Sequence, residues 1–156
     1  MKILLEQLGL DQGRVALEWV SAAEAPVFVK KITSFTERIR GLGHLGEKEG
    51  LDPVRLQRKI AAARVALEGM KIRSAFARQA QKVKETKSYG EFPDPEKLRA
   101  SLEGEITLQE VFLCLKEKSG TAAELAARLD IPEELVSKAI DTLQKKKKVN
   151  ADGSIA

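Results

Sequence analysis

The amino-acid sequence predicts a mainly α-helical protein of the α+β class, with a strand near the N-terminus and a small C-terminal hairpin. Helix-forming residues dominate a composition that is 43% hydrophobic and 32% charged. A long basic stretch without proline occupies the middle, and a segment rich in glycine and proline follows it. We therefore predict three parts: a helix–strand–helix segment over 1–46, a long basic helix and linker over 47–92, and a winged-helix-like domain over 93–156.

The first helix is predicted from the glycine that ends it, and the strand from an alternation of large apolar side chains with smaller or polar ones. Lys2–Leu8 has the composition of a short helix that ends at Gly9. Arg14–Val20 then alternates large apolar side chains with smaller or polar ones, which is typical of a strand. The large members of that alternation are Val15, Leu17 and Trp19.

A second helix is predicted immediately after the strand. Ser21 and Glu24 have the spacing of a capping box. An apolar stripe with helical periodicity follows at Phe28, Ile32, Phe35 and Ile39, and the helix is predicted to end within Gly41-Leu42-Gly43. This segment contains one strand and no partner strand, whereas sheets generally need three or more strands for independent stability. The remainder of such a sheet is expected in another chain.

The central helix is predicted to begin at Asp52 and Pro53 and to continue to Lys87, with a bend near Gly69. Between Pro53 and Lys87, ten basic residues and two acidic residues leave a local charge of +8, although the whole chain carries only +4. A hydrated basic face with one buried stripe, a dimerisation helix and a contact with an acidic partner are all compatible with this pattern. The apolar stripe comprises Leu56, Ile60, Ala63, Leu67, Met70 and Ala77.

The C-terminal part is predicted to be a winged helix. A short helix from Asp94 closes near Gly104, and three further helices follow from Thr107. Thr121 and Glu124 form a second capping box for the middle one, and Pro132 opens the last. Asp152 and Gly153 then suggest a hairpin turn, and the string from Thr121 onward resembles winged helix-turn-helix domains generally.

The composition of the chain argues against several classes of chemistry. Cys114 is the single cysteine and His44 the single histidine, so this chain alone offers no disulfide, cysteine-ligated zinc site or nucleophilic triad. Cys114 lies among apolar residues and is expected to be buried. No phosphate-binding glycine loop or membrane-spanning apolar run is present. We expect a cytoplasmic protein without catalytic activity of its own.

At the N-terminus the sequence resembles a known family. The runs Leu4–Gly9 and Leu17–Glu24, with Arg14 and Phe28, look like the end of the delta subunit of methyl-viologen-reducing hydrogenase. The resemblance covers about the first 43 residues. It implies association with heterodisulfide reductase in cytoplasmic electron-bifurcating complexes. Weaker likeness to an extension of bacterial members is found at Leu67–Arg73 and in the string Ser-Tyr-Gly-Glu that begins at Ser88.

The chain departs from this family in one respect. In that family the cysteines that hold the [2Fe–2S] cluster precede the part that this chain resembles. The resemblance therefore assigns no cluster-binding residue to this chain. A split-gene subunit, a shortened relative and a product begun at an internal methionine are all compatible with this. We expect no cofactor in this chain, with [2Fe–2S] and flavin groups in partner chains.

The favoured interpretation is a noncatalytic accessory subunit of a hydrogenase or heterodisulfide-reductase-type complex. Its strand would complete a partner's sheet, and its basic helix would meet an acidic partner surface. A homodimer in which two such strands pair is a variant of this hypothesis. The predicted partner-binding residues are Arg14, Trp19, Glu24, Phe28, Phe35, Arg64, Arg73 and Tyr89.

The alternative is a DNA-binding regulator that dimerises through the central helix. A recognition helix places its first residues near phosphates, but here those residues are Glu133 and Glu134. Residues 121–143 sum to −3, so we expect a protein-docking role for this domain rather than DNA binding. The residues that could contact DNA are Ser137, Lys138, Lys145, Lys146, Lys147 and Lys148.

Overall fold

The computed structural model describes residues 1–89, 94–150 and 155. Within them the chain forms α-helices and one 3₁₀ turn but no β-strand, so the fold is all-α and the predicted α+β class is wrong. The elements are α1 (Lys2–Leu8), the 3₁₀ turn (Gln12–Arg14), α2 (Ala25–Leu42), α3 (Pro53–Glu68), α4 (Met70–Thr86), α5 (Pro95–Glu117), α6 (Ala122–Leu129) and α7 (Glu133–Lys145).

The chain divides into two compact units, residues 1–56 and residues 57–156. The first unit contains α1, the 3₁₀ turn, α2 and the start of α3. Its buried apolar side chains are leucines, namely Leu5, Leu8, Leu10, Leu42 and Leu56. The first unit therefore has a small core.

The strand predicted over Arg14–Val20 is not formed. Arg14 ends the 3₁₀ turn, and residues 15–20, which we call the 15–20 segment, belong to no helix or strand. A strand is defined by its hydrogen-bonded neighbour, and the described part of the chain offers no second strand to this segment. Val15, which follows the 3₁₀ turn, has extended dihedral angles, with φ −131° and ψ 132°.

The start of α2 also differs from the prediction. The N-cap is Glu24, and the first helical residue is Ala25. The Glu24 carboxylate accepts a hydrogen bond from the Ser21 N–H at 3.1 Å, which is one half of the predicted capping box. The Glu24 N–H bonds the Ser21 carbonyl rather than its hydroxyl, because residues 21–24 form a turn. The predicted end of the helix is confirmed, since Gly43 follows Leu42 with φ +65°.

The predicted central helix is two helices, α3 and α4, separated by Gly69. Gly69 has φ −70° and ψ 147°, an extended conformation that interrupts the helical hydrogen bonds. Glycine is a weak helix former, costing about 1 kcal/mol relative to alanine, so the chain breaks where a bend was expected. A Cβ added there would lie 3.0 Å from the Ala66 carbonyl oxygen.

The core of the second unit lies where α5, α6 and α7 meet. The short helix predicted to close near Gly104 is instead the first part of α5, which runs through the glycine without interruption. Burial of Leu102 and Ile106 on either side outweighs the low helix propensity of Gly104. The buried core cluster comprises Leu108, Val111, Cys114, Leu115, Leu125, Leu129, Val136, Ala139, Leu143 and Val149.

The capping box of α6 is confirmed, because the Thr121 hydroxyl and the Glu124 carboxylate each accept the other's backbone N–H. The winged-helix prediction is corrected to an all-helical unit. Val149 and Ile155 form one isolated antiparallel bridge, which does not constitute a strand. The predicted hairpin turn at 152–153 lies outside the described residues.

Candidate docking interface

The 15–20 segment carries main-chain N–H groups that no backbone carbonyl of the described chain accepts. In the described part of the chain, the N–H groups of residues 16–20 donate to no backbone carbonyl. Lys31 on α2 holds the segment by its side chain, since its ammonium group lies 2.6 Å from Glu18 Oε2 and 3.3 Å from the Trp19 carbonyl oxygen. The segment is therefore positioned against α2 while its amides remain available.

Large apolar side chains on the segment and on α2 are exposed. Leu17 and Trp19 are 81% and 86% exposed, which is unusual for side chains that gain from burial. Four neighbours in the first two turns of α2 are also 40% exposed or more. These six residues, which we call the apolar face, are Leu17, Trp19, Val27, Phe28, Val29 and Ile32.

A groove of about 440 Å³ lies between the 15–20 segment and α2. Lys30, Lys31 and Arg38 make it basic, and Glu18 is its single acidic residue. Lys31 was not identified from the sequence. The signal that could have identified it is its position one helical turn after Val27, which also lines the groove. The groove is lined by Ala16, Glu18, Val27, Lys30, Lys31, Ser34, Phe35 and Arg38.

Arg14 anchors the segment rather than presenting its charge to solvent. Its guanidinium donates to Glu49 through Nε at 2.7 Å and Nη2 at 2.9 Å. It also donates to the carbonyl oxygens of Leu42, Gly43 and His44 at the end of α2. With its side chain only 7% exposed, the predicted partner-binding residue Arg14 has its donors occupied within this unit.

The pairing with Arg14 changes the acidity of Glu49. The hydrogen bond from Arg14, with a smaller contribution from the Asp11 N–H, lowers the pKa of Glu49 to about 2. Partial burial acts in the opposite direction but is outweighed. Sequence analysis missed Glu49, because nothing in its local pattern identifies a partner 35 residues away.

The other residues predicted to bind a partner are divided between the two units. Glu24 occupies the N-cap position of α2 without a side-chain capping bond, and Phe35 is half-buried in the groove. In the second unit, Arg64 is exposed and lies 3.2 Å from Glu68 one turn later on α3. Arg73 on α4 and Tyr89 after it are exposed.

The residues proposed for DNA contact lie on α7 and just after it. Lys138 pairs with Glu134 at 2.7 Å, which lowers the pKa of that carboxyl, and the neighbouring Ser137 is half-buried. Lys146 lies 4.0 Å from the buried Glu105. The remaining lysines end the helix, with Lys145 as its last residue, Lys147 at φ +54° and Lys148 over the ring of Phe112.

Cys114 and His44 occupy structural positions. Cys114 is fully buried, as expected, and its burial raises the pKa of the thiol. The backbone of His44 bonds Glu47 and Arg14. Among the described residues, no three His, Cys, Asp or Glu side chains are grouped so that they could hold a metal ion. None of the helices found there combines the length and the apolar character that a bilayer crossing requires.

Comparison with known proteins gives one match. No curated protein and no solved structure matches the chain. Residues 1–43, which contain α1, the 15–20 segment and α2, match the family described as methyl-viologen-reducing hydrogenase, delta subunit. Through its first 43 residues the chain is therefore similar to the delta subunit of that hydrogenase.

Proposed function

We propose that the chain is a noncatalytic docking subunit of a hydrogenase or heterodisulfide-reductase-type electron-transfer complex. The observation that carries this proposal is the exposure of the apolar face within the segment that matches the hydrogenase subunit family. Large aromatic and aliphatic side chains that remain exposed are typical of protein interfaces. Their burial by a partner would supply the main favourable free energy of assembly.

The 15–20 segment is the part of this surface that provides directional contacts. Its free N–H groups can pair with an exposed sheet edge of a partner, so that the segment becomes a strand when it binds. Lys31 already holds one side of the segment against α2. Arg14 fixes the start of the segment, so less conformational entropy is lost on docking than for a free tail.

Helix α4 supports a second contact, with an acidic partner surface. Arg73, Arg78, Lys82 and Lys84 project from it, and in the described part of the chain none of them forms an ion pair. Complementary charge of this kind accelerates association and restricts orientation. The basic side chains of α4 would therefore make the affinity of assembly depend on salt concentration. The contribution of the apolar face to that affinity would not depend on salt.

The partners in this proposal are the subunits that carry the iron–sulfur and flavin groups. Electron transfer takes place in those subunits, and this chain positions them. Pairing of two 15–20 segments in a homodimer is the competing outcome, since an unpaired segment can also bind its own copy.

The experiment is purification of the native complex from the source cell through a tag on this chain, followed by mass spectrometry and iron and flavin analysis. We expect iron–sulfur and flavin subunits in stoichiometric amounts. The matched control carries Leu17→Ser and Trp19→Ser, which should release these subunits while the chain stays folded. A bare homodimer from the unmodified chain, or equal recovery with the control, contradicts the proposal.

A further inference from the structure

The groove between the 15–20 segment and α2 is bounded by two stretches of chain that run in opposite directions. Near one end, the Lys31 ammonium group on α2 donates to the Trp19 carbonyl oxygen at 3.3 Å. Near the other end, a Cβ added to Gly13, just before the segment, would lie 3.2 Å from Arg38 Cδ. The segment therefore follows α2 from Arg38 back to Lys31, and the groove runs along both.

The two sides of the 15–20 segment carry different side chains. Ala16 and Glu18 line the groove, whereas Leu17 and Trp19, at the alternate positions, belong to the apolar face. Alternation of this kind is what an extended chain produces. A partner can therefore cover Leu17 and Trp19 and also enter the groove, because the two contacts use different side chains of the segment.

The groove carries positive charge that the chain does not compensate. Its single carboxylate, Glu18, is already paired with Lys31 at 2.6 Å. The hydrogen bond from Lys31 is the main reason that the pKa of Glu18 is lowered, with a smaller contribution from the charge of Arg38. Among the described residues, Lys30 and Arg38 form no ion pair, and both side chains are exposed. The groove therefore offers these two cations to the carboxylates of a partner.

The spacing of the two cations matches an extended chain. Lys30 and Arg38 are eight positions apart on α2, which corresponds to about 12 Å along the helix axis. Side chains at positions i and i+4 of an extended chain lie on the same face, about 13 Å apart. The groove, with a volume of about 440 Å³, is within the usual size range of ligand pockets. An extended segment with acidic residues four positions apart fits both measures.

We propose that this groove docks an extended acidic segment of a partner subunit, with carboxylates four positions apart that pair with Lys30 and Arg38. This inference rests on the proposed function, because it names the chemistry of the partner strand that pairs with the 15–20 segment. Arg38 offers a planar fork that binds a carboxylate through two hydrogen bonds, and Lys30 offers a compact charge. The N–H groups of residues 16–20 donate to the main chain of the docked segment.

Charge favours this occupant over a second copy of the chain. A second copy would present its own 15–20 segment, in which Glu18 is the single acidic residue and is engaged by Lys31. It would also bring a second Lys30 and a second Arg38 to the interface. Like charges that face one another oppose association, so the groove favours a different chain that is acidic at the contact.

The test is carbodiimide cross-linking of the native complex, purified from the source cell through a tag on this chain. Carbodiimide joins an amine directly to a carboxylate in contact with it, and mass spectrometry then identifies the linked residues. Lys31 and Glu18, at 2.6 Å, are the internal control and should be linked in every preparation. We expect Lys30 to be linked to an aspartate or glutamate of an iron–sulfur or flavin subunit, with a second acidic residue four positions away in that subunit.

Charge reversal measures how much the groove contributes to assembly. Lys30→Glu and Arg38→Glu should each weaken recovery of the partner subunits by about tenfold at low salt, and by less at high salt because the charges are then screened. Arg40→Glu, at an exposed position of α2 outside the groove, is the matched control and should leave recovery unchanged. Lysine in place of the partner carboxylate that is linked to Lys30 should restore recovery by Lys30→Glu.

The outcomes distinguish failure of this inference from failure of the docking function. If the unmodified chain recovers no iron–sulfur or flavin subunit, both are contradicted. If those subunits are recovered and Lys31 is linked to Glu18, but Lys30 is linked to none of their carboxylates, the inference alone is overturned. Equal losses in Arg38→Glu and Arg40→Glu would also overturn it, since they would show general charge attraction. A link from Lys30 to a second copy of this chain would do the same.

Discussion

Arg14 and Glu49 form a two-pronged ion pair, with Nε to Oε1 at 2.7 Å and Nη2 to Oε2 at 2.9 Å. The pair joins the 3₁₀ turn before the 15–20 segment to the loop after α2. Because Arg14 also caps the carbonyl groups at the end of α2, one side chain connects three parts of the first unit. The stability of this unit and the position of the docking segment therefore depend on the same contact.

Replacement of Glu49 by glutamine should destabilise the first unit by about 1–3 kcal/mol, because a charge-assisted pair becomes a neutral hydrogen bond and leaves Arg14 without its countercharge. Chemical denaturation monitored by circular dichroism, which follows the loss of α1 and α2, measures this change. Glu37→Gln on the exposed surface of α2 is the matched control and should be nearly neutral. An equal effect of the two substitutions would contradict the assigned role of Glu49.

The same carboxylate predicts a pH dependence. The pKa of Glu49 is about 2 in the folded state and 4.5 in the reference state. A lowered folded-state pKa contributes stability that is present above pH 4.5 and is lost as the pH falls from there towards 2. Unfolding free energies measured across this window should decrease more steeply for the unmodified chain than for Glu49→Gln. Parallel curves would show that Glu49 is not responsible.

Trp19→Ala should leave the stability of the isolated chain within about 0.5 kcal/mol, because an 86% exposed ring contributes little to the fold. Assembly with partner subunits should weaken by about 2–4 kcal/mol, as expected for an aromatic residue at the centre of an interface. Denaturation and quantitative pull-down give the two values. Leu45→Ala, at a site 55% exposed and beyond residue 43, is the control. Unchanged assembly with Trp19→Ala would remove the 15–20 segment as the docking element.

Thr121→Ala should destabilise the second unit by about 1 kcal/mol, since α6 loses the hydroxyl that accepts the Glu124 N–H. Urea unfolding followed by circular dichroism measures the loss. Thr36→Ala, at an exposed interior position of α2, should be neutral or slightly stabilising because alanine is the better helix former. A neutral Thr121→Ala would indicate that packing alone holds the start of α6.

Cys114 should resist alkylation in the native chain. Its side chain is fully buried and its thiol pKa is raised, so both access and thiolate population are low. Iodoacetamide followed by mass spectrometry should detect modification only after urea is added. Rapid modification without denaturant would show that the core between α5, α6 and α7 opens readily.

The success of sequence analysis depended on how local each signal was. The end of α1 at Gly9 and the capping box at Thr121 and Glu124 were predicted correctly, because each involves residues within one turn of helix. The break at Gly69 was anticipated only as a bend. Gly104 was predicted to end a helix, but α5 continues past it because Leu102 and Ile106 on either side are buried.

The strand prediction failed for a different reason. The alternation of side chains over Val15–Val20 indicates which of them could lie on a common face of a sheet. It does not indicate whether a second strand is available to accept and donate the main-chain hydrogen bonds. The role of Arg14 could not be predicted either, since Glu49 is distant in sequence. Lys31 was missed because its importance depends on groups contributed by the 15–20 segment.

The sequence by itself determined where the helices start and stop in most of the chain, the basic character of the centre, and the likeness of the first 43 residues to a hydrogenase subunit. These properties follow from local propensity, charge and the order of residues. Only the tertiary structure decided that the 15–20 segment has no strand partner in the described chain and that Arg14 is engaged with Glu49. Each of these results requires groups from separate segments to meet, and that depends on packing rather than on local sequence.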